Sequence, residues 1–127
     1  MPPEIHDLIQ AARKIQGRFL LTEDLSAGSV GAALRTRSGK IFTGICVDVT
    51  CGLGLCAERS AVAEMLKSRE TEIDMIVAVA NSAILPPCGS CRELLVQVNP
   101  RNLDTRVILP DEEITPLRNL LPSHWLV

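Results

Sequence analysis

The sequence predicts a layered α/β domain built on a mixed sheet of about five strands. Three observations lead there. Apolar residues recur at helical spacing in an opening segment, and two later segments also read as helices. Between them lie short runs with the period of two, or the continuous apolar character, of strands. The order is helix-strand-strand-helix-strand-helix-strand, with a further short strand at the end, and such interleaving packs helices on a sheet. Residues 1–127 are expected to form one domain, long enough to bury a core.

Taken in order, Ile5, Leu8, Ile9, Ala12 and Ile15 share one face of an opening helix, which Gly17 is placed to end. Two strand-like runs follow, SVGAALR and KIFTGICVDV, joined at the turn Arg37-Ser38-Gly39. In the second run Ile41, Thr43, Ile45, Val47 and Val49 point one way, and Phe42, Gly44, Cys46 and Asp48 the other. That second face is mixed in character, which suits a wall bordering a pocket. After a glycine-containing loop, CAERSAVAEMLKS reads as a helix. MIVAVA is apolar throughout, as expected of a strand covered on both faces in the middle of the sheet. A third helix spans about Cys88 to Val98, TRVIL is a strand, Pro110-Asp111-Glu112 is a turn, and EEIT is a short edge strand.

Composition narrows the function. The longest apolar stretch, around Met75 to Ala80, is far too short to span a bilayer. MPPEIHDLIQ lacks the basic and apolar regions of a signal peptide, so a cytoplasmic protein without membrane association is expected. The formal net charge is −2, and Lys and Arg are scattered rather than striped. With two Phe, one Trp and no Tyr, platforms for stacking bases are scarce, so no nucleic acid polymer is expected as a partner.

Five cysteines, Cys46, Cys51, Cys56, Cys88 and Cys91, form an odd set that favours metal binding or catalysis over a disulfide framework. In PPCGSCREL, Cys88 and Cys91 lie on one face of a first helical turn, where free N–H groups favour thiolates. A C-x-x-C pair serves a redox dithiol, a structural zinc site or a catalytic one equally well. Cys56 opens another helix 32 positions earlier, and the gap holds a helix and a strand that would return the chain to the same end of the sheet. Three thiolates can then meet on one metal. A structural site would need a fourth protein ligand, and the spare candidates Cys46, Cys51, His6 and His124 include no second close-spaced pair. Three ligands and an open position is the catalytic pattern. Glu58 heads an apolar stripe with Ala61, Val62 and Met65, which makes it a candidate proton carrier two residues from Cys56.

Cys56-Ala57-Glu58 followed by Pro87-Cys88-Gly89-Ser90-Cys91 resembles the zinc signature of the cytidine deaminase family, [HC]-A-E followed by P-C-x-x-C. The likeness runs from about Ser26 to the C-terminus: GAALRTRSGKIFTGI looks like that family's first two strands, and LLPSHW is similar to its C-terminal Leu-Leu-Pro plus aromatic. The short, three-cysteine form most resembles the homotetrameric enzymes and the related blasticidin S deaminases. The resemblance implies a three-layer α/β/α domain in which Cys56, Cys88 and Cys91 hold Zn²⁺ and Glu58 shuttles protons. It implies a small-molecule aminopyrimidine or nucleoside as substrate, and a homotetramer with shared active sites. Three thiolates on one dication leave a net negative centre; Arg59, with Arg92 beside it as the alternative, is expected to counter it. Phe42, Cys46, Asp48, Ala57 and Trp125 are the expected substrate-binding residues.

Two departures from that family bear on the substrate. Its Asn-[Val/Ile]-Glu, which binds ribose, is Cys46-Val47-Asp48 here, and the aromatic of its F-x-V-G-A-A segment falls on Gly28. Cytidine is therefore expected to be a poorer substrate than an analogue with a modified or absent ribose, including blasticidin S or a free base. Two competing functions fit less of the chain. A non-enzymatic zinc module lacks its fourth ligand, and a thiol oxidoreductase using Cys88 and Cys91 explains neither Cys56 nor Glu58.

Overall fold

A computed structural model describes residues 2–126. Its elements in chain order are α1 (Pro3–Ile15), β1 (Phe19–Thr22), β2 (Leu25–Thr36), β3 (Ile41–Val49), α2 (Ala57–Lys67), β4 (Ile73–Ala80), β5 (Ala83–Leu85), α3 (Gly89–Val98), β6 (Arg106–Ile108) and β7 (Ile114–Pro116). The helices and the five expected strands are all present. The sheet has seven strands rather than about five. The two additions carry almost no pattern: β1 is FLLT with every residue exposed, and β5 is three residues long, folded back on β4 through a turn at Asn81 (φ 53°).

β4 is the sheet's central strand. It runs antiparallel to β2, with Gly31 opposite Val79, and parallel to β6, with Met75 opposite Arg106. β3 forms one edge beyond β2, and β7 the other beyond β6. A strand between two neighbours and two helical layers must be apolar on both faces, which is why MIVAVA shows no alternation. Met75, Val77 and Val79 face α1, packed with Ile5, Leu8, Ile9 and Ala12. Ile76 faces the other way, into a cluster with Val62 and Met65 of α2 and Leu95 and Val96 of α3. The result is helix, sheet, helix.

One buried polar residue ties the layers. Asn102 accepts a hydrogen bond from Ile73 N (2.9 Å) and donates to Thr71 O (3.0 Å) and Leu95 O (2.9 Å). It thereby joins the start of β4 to the end of α3 with every amide atom paired.

The contact that matters for function lies between α2 and β3. A Cβ on Gly44 would stand 2.6 Å from Ala57 O and would collide with Ala61 N. The absence of a side chain at Gly44 thus lets the first turn of α2 rest on the strand. Ser60 Oγ adds a hydrogen bond to Ile45 O at 2.9 Å. Gly44→Ala should therefore cost about 1–3 kcal/mol in urea denaturation, because the obstructing atoms are backbone and cannot step aside. Gly89→Ala, where a Cβ meets nothing within 4 Å, should change stability by less than about 1 kcal/mol.

Candidate active site

Two helix N-termini converge. Cys56 is the N-cap of α2 and Cys88 the N-cap of α3, and Cys91 lies in the first turn of α3. Leu55 bridges to Val47 on the edge of β3 through a pair of 2.9 Å backbone hydrogen bonds, so the residue before Cys56 is pinned to the sheet. Cys56 Sγ lies 3.7 Å from Cys88 Sγ, which lies 3.5 Å from Cys91 Sγ. All three sulfurs are within 4.8 Å of one another, and no fourth His, Cys, Asp or Glu among the described residues joins the group. Cys46 is buried nearby without joining the group, and Cys51 is exposed. Three convergent sulfurs suit Zn²⁺, and a set one ligand short of four suits a metal that must also meet a substrate.

The thiols differ. Burial pushes the Cys56 thiol up, and pushes Cys91 far up with help from the nearby Glu58 charge. Burial acts on Cys88 too, but hydrogen bonds from the Cys91 N–H and the neighbouring thiols outweigh it, leaving this thiol below its usual value. The first-turn N–H groups of α3 thus favour the thiolate at Cys88. Glu58 is 7% exposed, and burial raises its carboxyl pKa against the opposing pull of its own backbone N–H. A carboxyl that keeps a proton more readily can both take and return one.

These groups open into a cavity of about 410 Å³ whose walls include Cys56, Ala57, Glu58, Cys88, Cys46, Asp48, Val30 and Ser29. Ala57, Cys46 and Asp48, expected at the substrate, thus share this wall. Phe42 is not among the residues of this wall: it packs against the core and lines a separate groove with Ile41, Ser60 and Ala63. The reason is Gly44, which brings α2 down on β3 and leaves Phe42, two residues earlier, under the helix. Trp125 is also outside the cavity. It is 71% exposed and donates its indole N–H to Glu93 Oε1 (3.2 Å), beside His124, whose Nε2 lies 2.9 Å from Glu93 Oε2.

Neither arginine touches a sulfur. Arg59 donates to Ser90 Oγ at 2.7 Å, between the two cysteines of the C-x-x-C pair. Arg92 donates to Pro87 O (2.7 Å) and Leu120 O (3.3 Å), strapping the chain before Cys88 to the C-terminal segment. Both stiffen the ligand loop and bring positive charge near it.

Ser29 was not anticipated. β2 carries a bulge: Ala27 pairs with Val47 and Gly31 with Ile45, so three residues of β2 face Cys46 alone. Gly28 takes φ 84° there, and a Cβ would strike Gly17 O. Gly17 N donates to Gly28 O at 2.7 Å, and Gln16 Nε2 to Ser29 O at 3.0 Å. Val30 N, released from the ladder, donates to Cys46 Sγ at 3.3 Å. The bulge turns Ser29 into the cavity; only the Gly28-Ser29 pair inside an apolar run hinted at it.

A family model described as the cytidine and deoxycytidylate deaminase zinc-binding region matches residues 3–105. The chain is 34% identical over 118 residues to a cytidine deaminase of Halalkalibacterium halodurans, covering 87% of each. It is 29% identical over 109 residues to a blasticidin-S deaminase of Bacillus cereus, covering 70% of this chain and 75% of that one. The crystal structure of cytidine deaminase from Mycobacterium leprae superposes with a TM-score of 0.80 at 25% identity, covering 96% of this chain and all (100%) of the other.

Cys56→Ser, Cys88→Ser and Cys91→Ser should each lose bound zinc, measured by elemental analysis, and lower the melting temperature, since metal binding and folding share free energy. Cys46→Ser and Cys51→Ser should retain about one zinc per chain. Loss of metal from Cys51→Ser would refute the assigned ligands.

Proposed function

This chain belongs to the cytidine and deoxycytidylate deaminase family, and on that premise we propose that it is a zinc-dependent hydrolytic deaminase. It converts the amino group of a cytosine nucleoside or related aminopyrimidine to a carbonyl, with release of ammonia. The observation that carries this reading is the buried carboxyl of Glu58 in one cavity with Cys56 and Cys88 of the three-sulfur group.

Cys56, Cys88 and Cys91 would hold the metal. When bound, Zn²⁺ supplies the Lewis acidity that makes water a nucleophile near neutral pH. The rest falls to the chain. Glu58 takes a proton from the attacking water and delivers it to the ring nitrogen adjoining the carbon under attack. With the C–O bond formed, Glu58 takes the remaining proton of the new hydroxyl and passes it to the amine, so that the C–N bond breaks, the carbonyl forms and ammonia leaves. Ala57 and Val30 wall the cavity with apolar surface, which excludes bulk water from around that proton. Arg59, held at Ser90, offsets the negative charge of three thiolates.

A second reading has a specific observation behind it. Cys46 and Asp48 line the cavity, and a relative bears the name blasticidin-S deaminase. An aminopyrimidine whose substituent is not ribose is therefore the alternative substrate.

We also read the protein as a homotetramer with shared active sites. In its support, Leu55 at the cavity wall is 41% exposed, and Leu53 and Trp125 are 85% and 71% exposed. Light scattering should give about four times the chain mass; a monomer would leave the cavity open and refute the shared site.

Glu58→Gln keeps size and hydrogen bonding but carries no proton. It should retain zinc and lose at least about a thousandfold in kcat for ammonia release from cytidine. Near-normal turnover would remove Glu58 from the mechanism.

A further inference from the structure

The three cysteines sit on two separate helix starts, and something must keep those starts together. Arg59, in the first turn of α2, donates from Nη1 to Ser90 Oγ, in the first turn of α3, at 2.7 Å. A guanidinium is always charged, so the contact is a charge-assisted hydrogen bond. Arg59 forms no ion pair with a carboxylate among the described residues. The Ser90 hydroxyl is therefore what fixes the direction of its side chain.

Ser90 is bound into the sulfur group as well. It lies between Cys88 and Cys91, and its backbone N–H approaches the Cys88 sulfur together with that of Cys91. Ser90 thus reaches Cys88 through its main chain and α2 through its side chain. On the α2 side the same turn carries Cys56, whose Sγ stands 3.7 Å from Cys88 Sγ. The other contact between these helices is deeper, where Val62 and Met65 meet Leu95 and Val96 in the core. That packing holds the bodies of the helices, and the Arg59–Ser90 bond closes their ends. Arg92 offers no substitute, because Pro87 O and Leu120 O already engage it.

We propose that Ser90 is a positioning residue for the metal centre: by anchoring Arg59 across the gap between the two helix starts, it holds Cys56 against the Cys88–Cys91 pair and slows loss of the metal. The proposal rests on the reading of the three cysteines as a zinc site and adds a residue that is no ligand. Release of a metal proceeds ligand by ligand, and freeing Cys56 requires the two helix starts to part. An alanine at position 90 would keep the helix and the N–H and remove only the acceptor for Arg59.

The test follows zinc release from the loaded protein into excess EDTA, read with a chromophoric zinc indicator. Ser90→Ala should release zinc about tenfold faster than the unmodified protein, whereas Ser90→Thr, which keeps the hydroxyl, should stay within about twofold of it. Gly89→Ala disturbs the same loop where a Cβ meets nothing within 4 Å, and it too should leave the rate nearly unchanged. Arg59→Gln should speed release, and adding it to Ser90→Ala should bring little more, because the two residues act as one unit. Ser90→Ala protein that purifies without metal, beside loaded Ser90→Thr, is the same result in stronger form. An unchanged or slower release from Ser90→Ala overturns the proposal, as does equal acceleration by Gly89→Ala or full additivity with Arg59→Gln. Zinc held indifferently to Ser90 sinks this inference alone, whereas an unmodified protein that takes up no zinc sinks the metal reading with it.

Discussion

The first turn of α2 lies against the backbone of β3, and the rest of the site depends on that approach. Where a side chain would stand at Gly44 there is the carbonyl of Ala57 and the amide of Ala61. Because the helix sits so low, its N-cap Cys56 is brought level with Cys88, the N-cap of α3, and Glu58 is turned inward to become buried. Leu55 is locked to Val47 on one side of Cys56, and Ser60 to Ile45 on the other. The sulfur group is thus held by backbone hydrogen bonds and close packing. Rigid elements hold ligands to finer tolerances than loops do.

A second constraint acts from the opposite strand. The bulge in β2 leaves Val30 N without a ladder partner, and the Cys46 thiol receives it. The same bulge presents Ser29 to Cys46 and Asp48. A thiol that accepts a backbone N–H inside a cavity wall is more than a small apolar filler, because its removal would orphan that donor. The two parts of the cavity therefore have different supports: the three cysteines and Glu58 belong to helix starts, and the polar wall of Ser29, Cys46 and Asp48 belongs to an irregular pair of strands. Changes in one can be accommodated without disturbing the other, which is consistent with relatives that bear the names of different deaminases.

The arginines show how support can replace direct contact. Arg92 ties Pro87 to Leu120, and Arg59 spans from α2 to Ser90. Together they join the two ligand-bearing helices and the C-terminal segment. Glu93, two residues beyond Cys91, holds His124 and Trp125 with its two carboxylate oxygens. The C-terminal segment is therefore fastened to α3 within one turn of the sulfur group.

What the sequence alone determined is whatever repeats or is covalently spaced. The helical stripe of Ile5, Leu8, Ile9 and Ala12, the two-sided apolar run of β4 and the i, i+3 spacing of Cys88 and Cys91 all follow from the geometry of a single element. Cys56, Cys88, Cys91 and Glu58 were legible as one group because each sits at or near a helix start and the intervening helix and strand return the chain to the same end of the sheet. What only the tertiary structure decided depends on how one element lies on another. The side chains at Phe42 and Cys46 share a face of β3, yet one is covered by α2 and the other lines the cavity; the descent of a helix onto Gly44 separates them. Ser29 reaches the site through a bulge that no period describes. The strands β1 and β5 are so short that pairing with a neighbour, rather than their own pattern, makes them strands. Local periodicity records which face a residue occupies, whereas close approach between elements settles what that face meets.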